Sequence, residues 1–225
     1  MMILEQWLPN VMTSLDDIWE ATVETLYMSF VTCIVAYLIG LVVGIILAIW
    51  MPGGLKANRV AYSILDKLVN IFRSIPFIIL IALLVGITRL IVGTSIGTTA
   101  VIVPLVVCTI PFYARQVQNV LVEVDPGIIE AAEAMGLTTN EIIFQVMLKE
   151  SIPSLIRMSA LTFVSVVSYT AMAGTVGGGG LGDLAIVRGY ERHQMDVTFV
   201  CTAIILVIVF LIQGLADWYA SRQEH

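Results

Sequence analysis

Long apolar segments separated by short polar ones dominate this chain. Five segments are strongly apolar over most of their length, at about residues 25–50, 61–87, 98–120, 152–175 and 197–218. The first carries no charged residue, and a helix of this length can cross a hydrocarbon layer about 30 Å thick. The pattern therefore predicts an all-α integral membrane protein with five transmembrane helices per subunit.

The second predicted span differs from the others because its uncharged part, residues 74–88, is short for a complete crossing. Arg73 and Pro76 interrupt the entry to this part. An arginine inside a membrane is costly and marks a functional position by default, whereas an arginine at the edge extends to the lipid headgroups. Both interpretations of Arg73 remain open, and a functional Arg73 is expected to order the break at Pro76 or to pack near the polar loop that follows the third span, rather than to contact substrate.

One polar segment, residues 126–148, lies between the third and fourth apolar segments. Asp125 followed by Pro126 is typical of a helix start, because aspartate accepts a hydrogen bond at the N-cap and proline is favoured at the first helical position. Gly136 is expected to end that helix, and Thr138 begins a capping-box pattern that starts another. The 126–148 segment is therefore predicted to form two short helices bent at glycine.

The 126–148 segment can either bind a protein or lie along the lipid headgroups. The apolar residues of its second helix share one face, and they are Ile142, Ile143, Val146 and Met147. A helix that lies on lipid normally carries basic residues on its polar face. The charged residues here are mostly acidic, because Glu130, Glu133, Glu141 and Glu150 accompany a single Lys149. The charge pattern favours docking to a protein.

Composition supports the membrane class and excludes others. Of the 225 residues, 59% are hydrophobic and 12% are charged, and the mean hydropathy is +0.97. An ordinary soluble domain is about one quarter charged. The net charge is −6 and the basic residues are scattered, so a nucleic-acid partner is not expected. Cys33, Cys108 and Cys201 lie in or beside apolar segments without the spacing of a metal site, and they are interpreted as packing residues.

The distribution of Lys and Arg predicts the orientation of the spans. One set of alternate loops, with the carboxyl-terminal tail, holds Lys56, Arg59, Lys67, Arg73, Arg115, Lys149, Arg157 and Arg222. The other set holds only Arg89, Arg188 and Arg192. Positive residues are enriched on the cytoplasmic side of a membrane. Residues 1–24 are therefore predicted to lie outside as an amino-terminal segment, and the 126–148 segment and the tail 219–225 in the cytoplasm.

Within the 126–148 segment, Glu130-Ala-Ala is followed after three residues by Gly136 and after nine more by Val146-Met-Leu. This spacing resembles the pattern Glu-Ala-Ala-x3-Gly-x9-Ile-x-Leu-Pro in the cytoplasmic loop of ABC-importer permeases. Lys149 stands where that family usually has proline. The resemblance implies the type I ABC-importer permease fold and a loop that fits a cleft on a separate ATPase. The residues expected to couple to the ATPase are Glu130, Ala131, Ala132, Gly136, Ile142, Val146 and Leu148.

Four further stretches resemble the methionine-uptake permeases, namely residues 70–79, 89–97, 171–182 and 188–190. The resemblance implies a homodimer in the bacterial inner membrane, with two copies of a cytoplasmic ATPase and an external methionine-binding lipoprotein. ATP and Mg would be bound by the ATPase, and this chain itself would bind no cofactor and catalyse no reaction. Its surroundings would otherwise be membrane lipid.

Candidate pathway residues lie late in the fourth predicted span. Met172 has small neighbours on both sides, and a flexible apolar side chain in such surroundings suits a hydrophobic constriction on the dimer axis. Ordinary packing between helices is the alternative. Tyr169 and Ser168 are placed to face the same pathway. Residues 177–180 are all glycine but lack the Lys-Ser/Thr of a phosphate-binding loop, and no nucleophile–base pair is found, so no catalytic residue is assigned.

The sequence thus predicts the membrane subunit of an ATP-driven importer for methionine and related amino acids, working by alternating access. A permease for another amino acid or a small peptide is an alternative within the same class. An ion-coupled secondary transporter is an alternative from another class, although the centres of four predicted spans lack the ionisable groups that ion coupling normally requires. A membrane scaffold that only binds a cytoplasmic protein is a third possibility.

Overall fold

The computed structural model describes residues 8–223, and every regular element among them is helical. The α-helices are α1 (Pro9–Met12), α2 (Leu15–Trp50), α3 (Arg59–Ser74), α4 (Phe77–Val92), α5 (Thr98–Val122), α6 (Pro126–Ala134), α7 (Thr139–Glu141), α8 (Leu148–Glu150), α9 (Ile152–Gly174), α10 (Gly180–Asp183) and α11 (Met195–Ser221). Two π-helices, Ile142–Met147 and Leu184–Tyr190, follow α7 and α10 directly. The all-α prediction is confirmed.

Four of the described helices are long and apolar enough to cross a membrane, namely α2, α5, α9 and α11. The pair α3 and α4 is a fifth candidate if the two helices count as one broken span. The ends of α5, α9 and α11 lie within about three residues of the predicted third, fourth and fifth spans. The apolar segments thus predicted the positions of these three helices to within about three residues.

The first long helix is an exception, because α2 begins at Leu15 rather than near residue 25. Asp16 and Asp17 occupy its first turn, where negative charge is favourable beside the positive end of the helix dipole. The acidic residues that end the apolar segment therefore do not end the helix. Of the predicted external segment 1–24, residues 1–7 lie outside the described residues. Of the predicted tail 219–225, residues 224–225 do so, and α11 extends to Ser221.

The predicted second span, 61–87, is two helices rather than one. Helix α3 ends at Ser74 and α4 begins at Phe77, with Pro76 at the N-cap of α4. Proline has no amide hydrogen and disfavours the helical conformation of the residue before it. The chain therefore leaves the helical conformation at Ile75 and resumes it immediately after Pro76.

The predicted external loop 177–197 also contains helical structure, because α10 and the second π-helix lie within it. Positive φ angles occur at three glycines of the preceding turn, Gly177, Gly179 and Gly180. A Cβ atom on Gly182 would lie 2.3 Å from the Cα atom of Ala171, and one on Gly174 would lie 2.2 Å from the amide nitrogen of Asp183. The glycines thus allow α9 and α10 to pack backbone against backbone.

Contacts divide the chain into two compact units, each assembled from separate stretches of sequence. The first consists of Ile75–Cys108, Phe163–Ile212 and the described part of Met1–Val35. The second consists of Ala36–Ser74, Thr109–Thr162 and the described part of Gln213–His225. The whole of the 126–148 segment belongs to the second unit.

In the first unit, the amino-terminal helices bind the region around the start of α11. The backbone and side-chain amides of Asn10 donate hydrogen bonds of 2.8 and 2.9 Å to the carboxylate of Asp196. Arg188 forms an ion pair with Asp17. Apolar side chains fill the space behind these polar contacts, and the buried ones are Val11, Ile18, Ala21, Leu181, Ala185, Val197 and Cys201.

In the second unit, α2, α5 and α9 are joined by close backbone packing and by hydrogen bonds. A Cβ atom on Gly44 of α2 would lie 2.6 Å from the carbonyl oxygen of Ala114 on α5, so the two backbones are in close contact. The Tyr37 hydroxyl donates a 2.5 Å hydrogen bond to the carbonyl oxygen of Ser159 on α9. The Tyr113 hydroxyl lies 2.9 Å from the Ser159 Oγ. These contacts join α2, α5 and α9 next to the cluster that holds the 126–148 segment.

Candidate functional site

The first helix of the 126–148 segment forms where capping chemistry predicts it. The Asp125 Oδ1 atom accepts a 2.7 Å hydrogen bond from the amide of Gly127, and Pro126 is the first helical residue. The helix ends at Ala134, and two residues later the chain turns at Gly136, whose φ of 82° is a conformation that favours glycine. The amide of Leu137 then donates to the carbonyl oxygen of Ala132 at 3.2 Å, which closes the turn. The predicted bend at Gly136 is confirmed.

The second helix begins with the capping box that the sequence predicts. The Thr138 amide donates to the Glu141 carboxylate at 2.7 Å, and the Glu141 amide donates back to the Thr138 hydroxyl. Hydrogen bonds from the Thr138 side chain and backbone stabilise the charged form and so lower the pKa of Glu141. From Ile142 to Met147 the helix is a π-helix, which the periodicity of the sequence did not predict. The apolar face predicted from the sequence is nevertheless the face that packs against the rest of the unit.

One face of the 126–148 segment is buried against the chain's own helices. Ile142 is 2% exposed and Ala132 is 1% exposed. Both pack in a cluster with four buried residues of α2 and α5, which are Ala48, Tyr113, Val117 and Leu121. Val146 and Leu148 are partly buried against the same cluster. Four of the seven residues expected to couple to an ATPase therefore connect the segment to its own unit.

The opposite face of the segment is exposed. Glu130 and Ala131 lie on it, as does Gly136, so the remaining three predicted residues are available to a partner. Two large apolar side chains that the sequence analysis did not assign also lie there, because Met135 is 73% exposed and Phe144 is 62% exposed. A signal was present for Phe144, since a residue two positions beyond buried Ile142 points to the other side of a helix. An exposed face with large apolar groups is typical of a docking surface.

A cavity of about 390 Å³ lies between α6 and the turn at residues 51–55. Its walls are of mixed polarity: Leu121 and Ile129 supply apolar surface, and Glu130 and Glu133 supply carboxylates. Helix α6 therefore packs against α2 and α5 around Ala132, whereas a cavity separates it from the turn at residues 51–55. The cavity leaves room for a partner's side chain or for a small displacement of α6.

The three candidate pathway residues do not share one environment. Ser168 and Met172 are four residues apart on α9, and both are exposed, so they lie on one face of the helix. The ring of Tyr169 instead stacks on Phe77 at a centroid distance of 5.0 Å. The hydroxyl of Tyr169 also interacts with the Cys108 thiol. Tyr169 therefore holds α9 against its neighbours, while Ser168 and Met172 form part of an open face.

Arg73 and Pro76 stand on either side of the break between α3 and α4. Arg73 lies in the last turn of α3 with its side chain exposed, and basic residues are favourable at that end of a helix. The carbonyl oxygen of Pro76 accepts hydrogen bonds from the amides of Ile79 and Leu80 at 2.9 and 3.0 Å, and so begins α4. This geometry gives Pro76 a structural role at the start of α4.

Asp66 of α3 forms an ion pair with Arg115 of α5, which was not predicted from the sequence. Arg115 Nη2 lies 2.5 Å from Asp66 Oδ1, and their side chains are 16% and 26% exposed. A signal was present, because Asp66 is the sole acidic residue between positions 25 and 122 of the sequence. Arg115 was counted there as a loop residue, but it lies within α5.

These features define a multi-pass helical membrane protein with a folded, partly exposed 126–148 segment between two of its long helices. The chain belongs to the family of binding-protein-dependent transport system inner membrane components, whose family model matches residues 40–225. It is accordingly a multi-pass protein of the bacterial inner membrane.

Several relatives match nearly the whole chain. It is 48% identical over 212 residues to the probable D-methionine transport system permease protein MetI of Pasteurella multocida, covering 92% of this chain and 98% of the relative. It is 47% identical over 215 residues to the methionine import system permease protein MetP of Bacillus subtilis, covering 96% of each.

Among solved structures, a chain of the inward-facing MetNI methionine ABC transporter superposes with a TM-score of 0.89 at 40% identity, covering 98% of both chains. A chain of an amino acid ABC transporter with histidines has a TM-score of 0.79 at 18% identity and shows the same fold. The fold expected from the resemblance to ABC-importer permeases is confirmed.

Proposed function

We propose that this chain is the membrane-spanning subunit of an ATP-driven importer that carries methionine and related amino acids by alternating access. Relatives named as methionine permeases match it at 46–48% identity over more than nine tenths of its length. ATP and Mg are bound by a separate ATPase subunit, which docks on the 126–148 segment. This chain supplies the pathway and the mechanical link, and binds no cofactor.

The two-sided packing of the 126–148 segment carries this proposal. Its exposed residues include Ala131, Met135 and Phe144 as well as Glu130, which gives a partner both apolar area and charge. Its other face is fixed to α2 and α5 through the cluster around Ile142. A force applied by the partner to the exposed face is therefore passed to two membrane helices rather than absorbed within a loose loop.

The distribution of Lys and Arg supports the orientation in the proposed assembly, and the resemblance to the methionine-uptake permeases supports its subunits. The amino-terminus lies outside and the 126–148 segment and the carboxyl-terminus lie in the cytoplasm, with α3 and α4 forming one broken span among five. Two copies of the chain pair, and the exposed face with Ser168 and Met172 lines the pathway between them. A binding protein delivers substrate from outside. Closure of the two ATPase subunits draws the two 126–148 segments together and opens the pathway outward.

Uptake of labelled methionine into proteoliposomes tests the proposal. Vesicles that hold this chain with its ATPase, and that receive the binding protein on the outer side, should accumulate methionine with ATP and without an ion gradient. Uptake that persists without the ATPase but requires a proton or sodium gradient would instead identify an ion-coupled transporter.

Two substitutions at Gly136 test the docking element. Gly136→Pro is incompatible with a φ of 82° and should abolish both ATPase co-purification and uptake while the spans still insert. Gly136→Asn is the matched control, because asparagine tolerates the left-handed conformation and nothing lies within 4 Å of the added Cβ atom. Normal assembly and uptake in Gly136→Pro would refute docking through this segment.

A further inference from the structure

The ion pair between Arg115 and Asp66 is the centre of a larger polar network. Arg115 Nη1 donates a 2.6 Å hydrogen bond to the Oε1 atom of Gln118, and Nη2 also donates to the Oδ1 atom of Asn70 at 3.2 Å. The amide of Gln118 donates to the Tyr62 hydroxyl at 3.4 Å. Tyr62, Asp66 and Asn70 are spaced by four residues, so they share one face of α3. Two residues of α5 therefore bind a polar stripe along α3.

The outward side of α3 is apolar, which reverses the arrangement of a soluble protein. Its large exposed apolar side chains are Val60, Ile64, Leu68, Ile71 and Phe72. Val69 is the one residue of α3 that is fully buried. The cluster that holds the 126–148 segment contains no residue of α3 within the described part of the chain. Little apolar surface of α3 is therefore buried within the chain, and the polar network attaches α3 to α5.

The same stretch of α5 also holds the 126–148 segment, but through other side chains. Tyr113, Val117 and Leu121 are buried in the cluster with Ile142. Arg115 is two residues from Tyr113 and from Val117, which corresponds to about 200° around a helix. Helix α5 thus carries the 126–148 segment on one side and α3 on the other.

We propose that Arg115 is a positioning residue for transport, which makes α3 move together with α5 when the ATPase displaces the 126–148 segment. This inference rests on the proposed function, because it assigns the route by which that displacement reaches the broken span. The charge of Asp66 keeps Arg115 in place, and Asn70 and Gln118 fix the direction of its guanidinium group. Without Arg115, α5 moves and α3 does not follow.

The test measures methionine taken up per ATP hydrolysed in proteoliposomes that contain the complete transporter. Arg115→Met should lower this ratio at least tenfold, while ATPase co-purification and the hydrolysis rate stay within about twofold of wild type. Arg115→Lys restores a cation beside Asp66 and should recover the ratio to within about threefold. Lys67→Met is the matched control, because Lys67 is an exposed cation next to Asp66 in sequence. It should leave the ratio unchanged.

A double-mutant cycle keeps the test decisive if Arg115→Met does not assemble. Asp66→Asn should also lower the ratio, and Asp66→Asn with Arg115→Lys should lower it no further than the larger single effect, since both changes act on one contact. A wild-type ratio in assembled Arg115→Met or Asp66→Asn overturns the inference, as does a fully additive double variant. Absence of ATP-driven uptake by the wild-type complex would instead overturn the proposed function.

Discussion

Replacing Ile142 by alanine should loosen the 126–148 segment from its own unit without touching its exposed face. The side chain is 2% exposed, so the substitution removes three carbon atoms from a closed cluster. At about 0.8 kcal/mol for each buried carbon group, plus a term for the cavity left behind, the expected cost is about 3 kcal/mol. A tenfold change in an equilibrium corresponds to about 1.4 kcal/mol, so local opening of the segment should increase about 100-fold.

Hydrogen exchange of the backbone amides measures this opening directly. The amides of Leu137 and Ile142 are bonded within the segment, to the carbonyl oxygens of Ala132 and Thr138, and they should exchange about 100-fold faster in Ile142→Ala. Phe144→Ala is the matched comparison, because Phe144 belongs to the same π-helix but is exposed. It should leave exchange nearly unchanged and weaken ATPase binding about tenfold or more, as the loss of an aromatic anchor does.

The two variants should differ in ATPase affinity and in transport per ATP hydrolysed. Ile142→Ala should keep most of its ATPase affinity and lose transport per ATP, because the partner still finds its surface but moves a loosened segment. If Phe144→Ala accelerated exchange as much as Ile142→Ala, the division into a buried and an exposed face would be wrong. Unchanged exchange in Ile142→Ala would refute the calculated contribution of the cluster.

Two further predictions concern the close helix contact and the capping box. Gly44→Ala places a Cβ atom 2.6 Å from the carbonyl oxygen of Ala114 and should lower the thermal unfolding temperature in detergent. Gly86→Ala is the control and should leave this temperature unchanged, because nothing lies within 4 Å of the added Cβ atom. Equal unfolding temperatures for the two variants would contradict the close approach of α2 and α5. Thr138→Ala removes the side-chain hydrogen bond, the larger of the two causes that lower the pKa of Glu141, and keeps the hydrogen bond from the backbone amide, so this pKa should rise part of the way toward its ordinary value in an NMR titration. In the wild type, the stabilisation from this cap should be complete above the ordinary pKa of glutamate and be lost as the pH falls through the lowered one.

The apolar segments and the caps could be predicted because each is determined by residues close together in sequence. Asp125, Thr138 and Gly136 act on their immediate neighbours, and the structure places helix starts and the bend where these residues require them. The break at Pro76 was visible for the same reason, although the pattern was interpreted as one span.

Features that depend on distant contacts could not be predicted in the same way. The pairing of Asp66 with Arg115 joins residues 49 positions apart, and the periodicity of neither helix reveals it. The π-helix at Ile142–Met147 also has no local signature in the sequence, although the spacing of the apolar residues did predict which face is buried. The helical structure after Gly179 was hidden because glycine is a poor helix former in isolation.

The binding of Asn10 to Asp196 has a consequence for how the chain is made. These partners are 186 residues apart, so a ribosome that adds about 5–20 residues each second completes the second about 10–40 s after the first. During that interval the newly made amino-terminal helices have no native partner in the growing chain at this site. The 126–148 segment, in contrast, emerges after α2 and α5 and finds its cluster already synthesised. Termination of synthesis shortly after α9 would therefore leave the 126–148 segment with the cluster that supports it, and Asn10 without its partner Asp196.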